Sequence, residues 1–312
     1  MIDLKSKETA YLYIPTRSDF RMVKLRLQQS GYLRDPGAFE WLARRKKYTE
    51  KVKPGRYKLR NGMKNNELVN LLRMGKQDPV RVIFQNIRTP EDLAGKIGHF
   101  LEVDSSALIQ LFNDPVFLHR YGLAPSTVFL YFIPNTYEFF WNTSGEELFE
   151  RMKLESGKFW SNDRRLLADS LNLTIAEVVT LASIVEKESN KNDEKQCIAG
   201  VYYNRLRKNM PLQADPTVIF AWKDFSIKRV LQRHLEIKSP YNTYLQTGLP
   251  PGPICLPSIV TVDAVLHLQH HDYLYFCARE DLSGYHNFAS TLAQHTRNAK
   301  KYQNALNLLN IK

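Results

Sequence analysis

The residues best suited to do chemistry are two glutamates two positions apart, Glu186 and Glu188, in the segment Thr174 to Asn190, TIAEVVTLASIVEKESN. A carboxyl group can give a proton to a leaving oxygen and later take one back, and it does so near neutral pH when its surroundings disfavour the charged form. The segment opens with a capping box, Thr174 and Glu177, and continues as a helix of four turns. Val178, Leu181, Ile184 and Val185 share one face, and at about 100° per residue Glu188 projects beside the last three of them. A helix C-terminus and an apolar surround both push a carboxyl group up, which suits a general acid. Glu186 points roughly the opposite way, about 160° around the helix by the same rotation, towards Ile175 and Val179. Spacing therefore leaves both glutamates available with a mild preference for Glu188. It also leaves open that both are surface carboxylates paired with Lys187 and Lys191.

A second cluster, His267-x-x-His270-His271-Asp272, has a spacing that a metal can use. It precedes a strand and has no HExxH or cysteine-pair partner, so it reads as structural and no metal is expected. His286 and His295 read as hydrogen-bonded or exposed. The chain has no GxSxG, P-loop or GxGxxG pattern.

These residues need a frame, and turn signals divide the chain into one. Residues 10 to 60 read as strand (Tyr11 to Ile14), helix (Ser18 to Gln29), helix (Asp35 to Lys46) and strand (Arg56 to Leu59), a small βααβ unit. A helix at Asn65 to Arg73 and a strand at Val80 to Phe84 follow. Thr89-Pro90-Glu91-Asp92 then opens a new helix with a cap and an N1 proline. The expected domain boundary lies near Asn86, giving domains of 1–86 and 87–312. Beyond it come helices near 90–102 and 105–113, an aromatic loop from Phe129 to Trp141, a mainly helical core over 145–210, a strand at Tyr273 to Ala278 and a closing helix from Ser290 to Leu309. In the aromatic loop, Tyr131, Phe132, Tyr137, Phe139, Phe140 and Trp141 favour core packing over sugar stacking.

With 43% apolar and 12% aromatic residues in 312, the chain can bury two ordinary cores, which excludes a disordered chain. No run approaches the ~18 apolar residues of a membrane helix, and Met1 to Asp19 lacks the pattern of a signal peptide. Cys197, Cys255 and Cys277 are far apart and odd in number, and read as buried core thiols. The net charge of +12 is concentrated: residues 1–86 hold 20 Lys and Arg against 8 Asp and Glu, and the remainder holds 24 of each sign. Basicity thus belongs to the N-terminal unit, where Arg44-Arg45-Lys46-Lys47 can meet phosphate, anionic lipid or an acidic polymer. No RNP aromatics, zinc finger or recognition helix accompanies it, so nucleic acid is not an expected partner.

Six segments carry a more specific signal. LASIVEKES, VYYNRL (Val201 to Leu206), LQADPTVIFA (Leu212 to Ala221), SPYNTY (Ser239 to Tyr244), TGLPPGPICLP (Thr247 to Pro257) and HNFASTLAQH (His286 to His295) occur in the order seen in the MltG, or YceG-like, family of endolytic murein lytic transglycosylases. The chain resembles that family well over residues 120–312. GRYKL and NNELVNLLRMGK resemble its LysM-like region more loosely. The resemblance implies an α+β fold, with a small LysM-like βααβ domain before a mainly helical, lysozyme-like catalytic domain.

By the same resemblance the glutamate before serine is the catalyst, which carries over to Glu188, with Ser189 behind it. A register two residues earlier would place it at Glu186, which is otherwise a substrate-binding candidate. Asn204, Gln213, Asp215, Thr217, Tyr241, Asn242 and Thr243 are implied walls of a glycan groove. Gly248, Gly252 and Pro250, Pro251 and Pro253 build a stiff scaffold loop. The implied reaction protonates the oxygen between N-acetylmuramic acid and N-acetylglucosamine, then closes a 1,6-anhydro ring with the muramyl sugar's own 6-hydroxyl, so no water and no cofactor is required. A hydrolytic muramidase is the alternative enzyme and would need a second carboxyl, for which Asp215 and Glu138 are the candidates. A non-catalytic peptidoglycan-binding scaffold is the alternative outside enzymes. The family implies peptidoglycan strands and peptidoglycan synthases as partners, and a single-pass anchor in the bacterial inner membrane with the body on its periplasmic or outer face. That anchor is absent from this chain and is expected upstream of Met1.

Overall fold

The computed structural model describes residues 1–308, and it mixes helices with three two-stranded antiparallel sheets in an α+β arrangement. Two compact units result. One comprises Met1–Ile83, Ala94–Gln110 and Thr136–Leu148, and the other comprises Phe84–Leu93, Leu111–Asn135 and the chain from Phe149 onward.

In the first unit β1 (Thr9–Ile14) pairs with β2 (Gly55–Arg60), Thr9 opposite Arg60 and Ile14 opposite Gly55. Alternation turns Ala10, Leu12 and Ile14 inward with Tyr57 and Leu59. Between the strands run α1 (Phe20–Gln29) and α2 (Pro36–Arg45), and α3 (Asn65–Met74) follows. The first two helices start two residues and one residue later than their expected edges because Asp19 and Asp35 are the caps, accepting from the Met22 and Ala38 N–H groups at 2.8 and 2.9 Å. Val23, Leu27, Phe39, Tyr48, Leu68 and Leu72 fill the core beneath the sheet. β3 (Val80–Ile83) pairs with β4 (Thr136–Phe139), so the expected aromatic loop contains a strand. Its buried Tyr137 and Phe139 alternate with exposed Thr136 and Glu138, a period of two hidden in the sequence by the aromatic residues that flank it.

Three helices, α4 (Pro90–Phe100), α5 (Ser105–Asn113) and α6 (Pro115–His119), come before β4, and α7 (Gly145–Phe159) and α8 (Asn162–Ser170) come after it. In the second unit Phe112, Phe117, Phe132 and Phe149 meet edge to face, which is where Phe132 of the aromatic segment packs. Centrally placed α9 (Ile175–Glu188) packs against α8, α10 (Lys195–Arg207), α11 (Asp215–Trp222) and α13 (Ile259–Leu266). The four-residue α12 (Gln232–Leu235) precedes α13. The chain closes with β5 (Tyr275–Ala278), β6 (His286–Ala289) and α14 (Leu292–Leu308); Leu309, the last residue expected in that helix, lies outside the described residues. Among the described residues no single helix is long and apolar enough to cross a membrane. Cys197 and Cys255 are buried, whereas Cys277, on β5, is half-buried.

Within the histidine cluster, His271 ties the approach to β5 to α10. His271 donates from Nε2 to the Cys197 carbonyl at 2.9 Å and accepts at Nδ1 from the Tyr273 N–H at 3.1 Å. Asn204 donates to the carbonyls of His271 and Tyr273 at 2.6 and 3.0 Å, so the strand begins at Tyr275 instead of Tyr273. The approach is close because residue 200 is glycine. A Cβ there would lie 2.4 Å from the Gln269 carbonyl oxygen and 2.7 Å from His271 Nε2. Gly200→Ala is expected to cost about 1–3 kcal/mol in chemical denaturation through this overpacking.

Candidate active site

α9 carries the site to its C-terminal edge. Its start is the expected capping box: Thr174 Oγ1 accepts from the Glu177 N–H at 3.2 Å and Glu177 Oε2 accepts from the Thr174 N–H at 2.7 Å. From Val178 to Val185 every residue is buried, so the helix is enclosed on all sides and the expected apolar stripe is only part of its core contact. The proline-rich loop docks on it through Ser183, whose Oγ accepts the Ile254 N–H at 2.9 Å. In the same loop, a Cβ on Gly252 would fall 1.9 Å from the Ser126 carbonyl oxygen, which only glycine permits.

The two glutamates part company at this helix end. Glu188 is the last helical residue, half-buried, and opens into a cleft of about 310 Å³ lined by Tyr202, Arg205, Gln213, Asp215, Tyr244, Tyr275 and His295 among others. Tyr202 donates its hydroxyl to Glu188 Oε1 at 2.6 Å. Burial pushes the Glu188 carboxyl up to about 7, with the negative charge of Asp215 adding to the rise and the Tyr202 hydrogen bond opposing it. Burial and the Glu188 charge raise the Tyr202 phenol well above its usual range, so it stays a neutral donor.

Glu186 faces away, into a buried network. Lys195, with 5% of its side chain exposed, reaches Glu186 Oε2 at 3.0 Å and donates to Thr261 Oγ1 at 2.8 Å. Ser258 donates to Glu186 Oε2 at 2.9 Å, and the Thr261 hydroxyl donates to the same oxygen. Burial works to raise the Glu186 carboxyl, but the Thr261 and Lys195 hydrogen bonds outweigh it and hold the group below its ordinary value. Glu186 is therefore an engaged anion outside the cleft.

The other sequence candidates separate in the same way. Gln213 and Asp215 line the cleft with Glu188. Asn204, Thr217, Tyr241, Asn242 and Thr243 do not. Thr217 and Thr243 share a buried hydroxyl contact of 2.8 Å, and Thr243 Oγ1 accepts the Ala214 N–H at 3.0 Å, which fixes the start of α11. Asn242 donates to the Leu235 and Ile237 carbonyls, and Tyr241 packs on Phe220. Tyr202, Arg205, Tyr244 and Tyr275 also line the cleft and carry no spacing signal of their own, although the first three lie inside VYYNRL and SPYNTY. Arg205 is buried and rigid, donating to the Leu274, Pro211 and Leu212 carbonyls at 2.7, 3.2 and 2.7 Å beneath the Tyr275 ring. His295 stacks on Tyr275, and its Nδ1 is buried without a partner among the described residues, so it is a cleft residue as well.

A raised carboxyl in the folded state has a stability signature. The folded protein holds the Glu188 proton to about 7 and an unfolded chain only to about 4.5, so its stabilising contribution is full below 4.5 and is lost as pH rises through 7. Glu188→Gln is therefore expected to gain about 1–3 kcal/mol over the parent at pH 8 and close to nothing at pH 4, measured by denaturant titration at both.

The YceG-like family model matches residues 12–301. The endolytic murein transglycosylase of Bacillus subtilis is 30% identical over 98% of this chain and 88% of its own length. Its namesake in Streptococcus pneumoniae serotype 2 is 29% identical over 97% of this chain and 60% of its own length, so the chain spans about 60% of that relative. A crystal structure of a yceG-like protein from Listeria monocytogenes aligns with a TM-score of 0.62 at 28% identity, covering 94% of this chain and 99% of that one.

Proposed function

The chain belongs to the YceG-like family, and from that premise we propose that it is an endolytic peptidoglycan lytic transglycosylase with Glu188 as its acid and then its base. The observation that carries this reading is a single proton-holding carboxyl, Glu188, at the end of a buried helix in a cleft lined by polar and aromatic side chains. Protonated Glu188 gives its proton to the oxygen between N-acetylmuramic acid and N-acetylglucosamine. The C1–O bond breaks with its electron pair going to that oxygen. The 6-hydroxyl of the muramyl sugar then attacks C1 and returns a proton to Glu188, leaving a 1,6-anhydro end. The step consumes no water, and the chain's own residues supply all of its proton transfers.

Domain roles follow the same reading. Residues 1–86, a βααβ unit with the chain's whole charge excess, act as a LysM-like module, and residues 87–312 form the lysozyme-like catalytic domain. The body works on the periplasmic or outer face of the bacterial inner membrane, held by an N-terminal anchor, and shares nascent strands with peptidoglycan synthases. A hydrolytic muramidase is the second reading, favoured by the presence of Asp215 in the same cleft as Glu188.

Digestion of purified peptidoglycan, read by mass, tests both. Muropeptides ending in 1,6-anhydromuramic acid, lighter by one water than hydrolysis products, are the expected result. Reducing ends would replace the proposal with the hydrolase. Intact strands that still bind the protein would replace it with the scaffold.

A further inference from the structure

Asp215 is not used in the way an aspartate at a helix start normally is. It opens α11, yet the N-cap is Ala214, and the Asp215 carboxylate accepts from no backbone N–H of the helix. It pairs with no lysine, arginine or histidine among the described residues; Arg205, in the same cleft, directs Nε and Nη1 to carbonyl groups and to Gln213. Its single fixed partner is the Tyr244 hydroxyl, which donates to Oδ1 at 2.5 Å. No donor among the described residues meets Oδ2. The carboxylate thus stands exposed on the cleft wall, steadied at one oxygen and open at the other.

Asp215 stands at the first position of the first turn of the eight-residue α11, the positive end of the helix dipole. The buried Thr217, Thr243 and Ala214 contacts hold that turn in place. Two carboxyl groups therefore share one cleft in opposite surroundings, one at a helix C-terminus and the other at a helix N-terminus. Asp215 is also close enough for its charge to be felt at Glu188.

We propose, resting on the transglycosylase reading, that Asp215 is a second catalytic group, whose Tyr244-steadied carboxylate stabilises the positive charge on C1 and the ring oxygen of the muramyl sugar. It forms no bond and takes no proton: Glu188 loses and regains the proton, the 6-hydroxyl forms the new bond, and Asp215 supplies charge alone. In water the field of an exposed carboxylate is weak, but a sugar seated in the cleft displaces that water and strengthens it. Tyr244 is the positioning residue. Burial, with Asp215 beside it, raises its phenol, so it remains a donor.

The test compares the parent chain with Asp215→Asn and Tyr244→Phe on purified peptidoglycan, reading initial rates of anhydro-end formation. Asp215→Asn is expected to lower kcat about 100-fold with KM changed by less than about threefold, and Tyr244→Phe to fall in between. The midpoint assigned to Glu188 in the residual pH profile should move down once the like charge is gone. A readout that needs no turnover is affinity for a protonated imino-sugar analogue of the muramyl ring: Asp215→Asn should weaken it at least 10-fold and leave a neutral N-acetylglucosamine oligomer unchanged. Equal loss for the charged and neutral ligands, or a rate within threefold of the parent, overturns the proposal. Anhydro products absent from the parent, with charge-selective binding still lost in the variant, would sink the transglycosylase reading while keeping Asp215 as the cation-stabilising group.

Discussion

Glu188→Gln is expected to lower the rate of strand cleavage at least about 1,000-fold while leaving peptidoglycan binding and the fold intact. Glutamine keeps the shape of the side chain and can still accept the Tyr202 hydroxyl that now reaches Oε1 at 2.6 Å, so loss of packing cannot account for a loss of rate. What disappears is the proton. In the proposed mechanism the acid form starts the reaction, so kcat/KM should hold below neutrality and fall as pH rises through about 7. An initial-rate profile from pH 5 to 9 checks the midpoint. A Glu188→Gln variant that still cuts at a tenth of the parent rate would remove Glu188 from the mechanism.

The second large effect lies on the far side of the same helix. Lys195→Met should destabilise the second unit by about 3–5 kcal/mol, because Glu186 would keep a buried negative charge with only the hydroxyls of Thr261 and Ser258 to answer it. Adding Glu186→Gln to that variant should recover most of the loss, since a neutral amide can use the same hydroxyl donors. Denaturant titration of the two single variants and the double variant measures the coupling. The pH dependence has the opposite sign to that of Glu188. With its folded carboxyl held below 4.5, the Glu186 contribution is full above that value and fades as the solution is acidified past it. Full recovery in neither the double variant nor acid would mean that Lys195 matters through its packed stem instead of its charge.

Much of this was legible in the sequence where local chemistry decides. The capping box at Thr174, the four-turn helix and the opposed directions of Glu186 and Glu188 all follow from spacing within seventeen residues, and the structure keeps them. The βααβ order of the first unit was likewise readable from turn signals and caps. The cleft was less so, because its walls come together from residues 188 to 295 and nothing in the spacing of Tyr202, Tyr244 and His295 announces that they meet. The amides and hydroxyls are open to two uses. Asn204, Asn242, Thr217 and Thr243 have the groups that hold sugars, but an irregular loop needs the same groups to satisfy its own backbone, and here the loops took them. Strands β4 and β6 are not legible in the sequence because a four-residue strand offers only two inward positions, too few to stand out from neighbouring aromatics.

The hairpin that supplies Tyr275 and Phe276, and the helix that supplies His295, have one further consequence. A ribosome releases the acid-bearing helix about ninety residues before it releases these cleft walls, so a growing chain carries Glu188 without the chamber that keeps its proton in place. On the proposed reading, the acid is therefore made well before the cleft that serves it. A chain cut short before residue 275 would carry Glu188 without Tyr275 and His295 beside it, and on that reading would not cut.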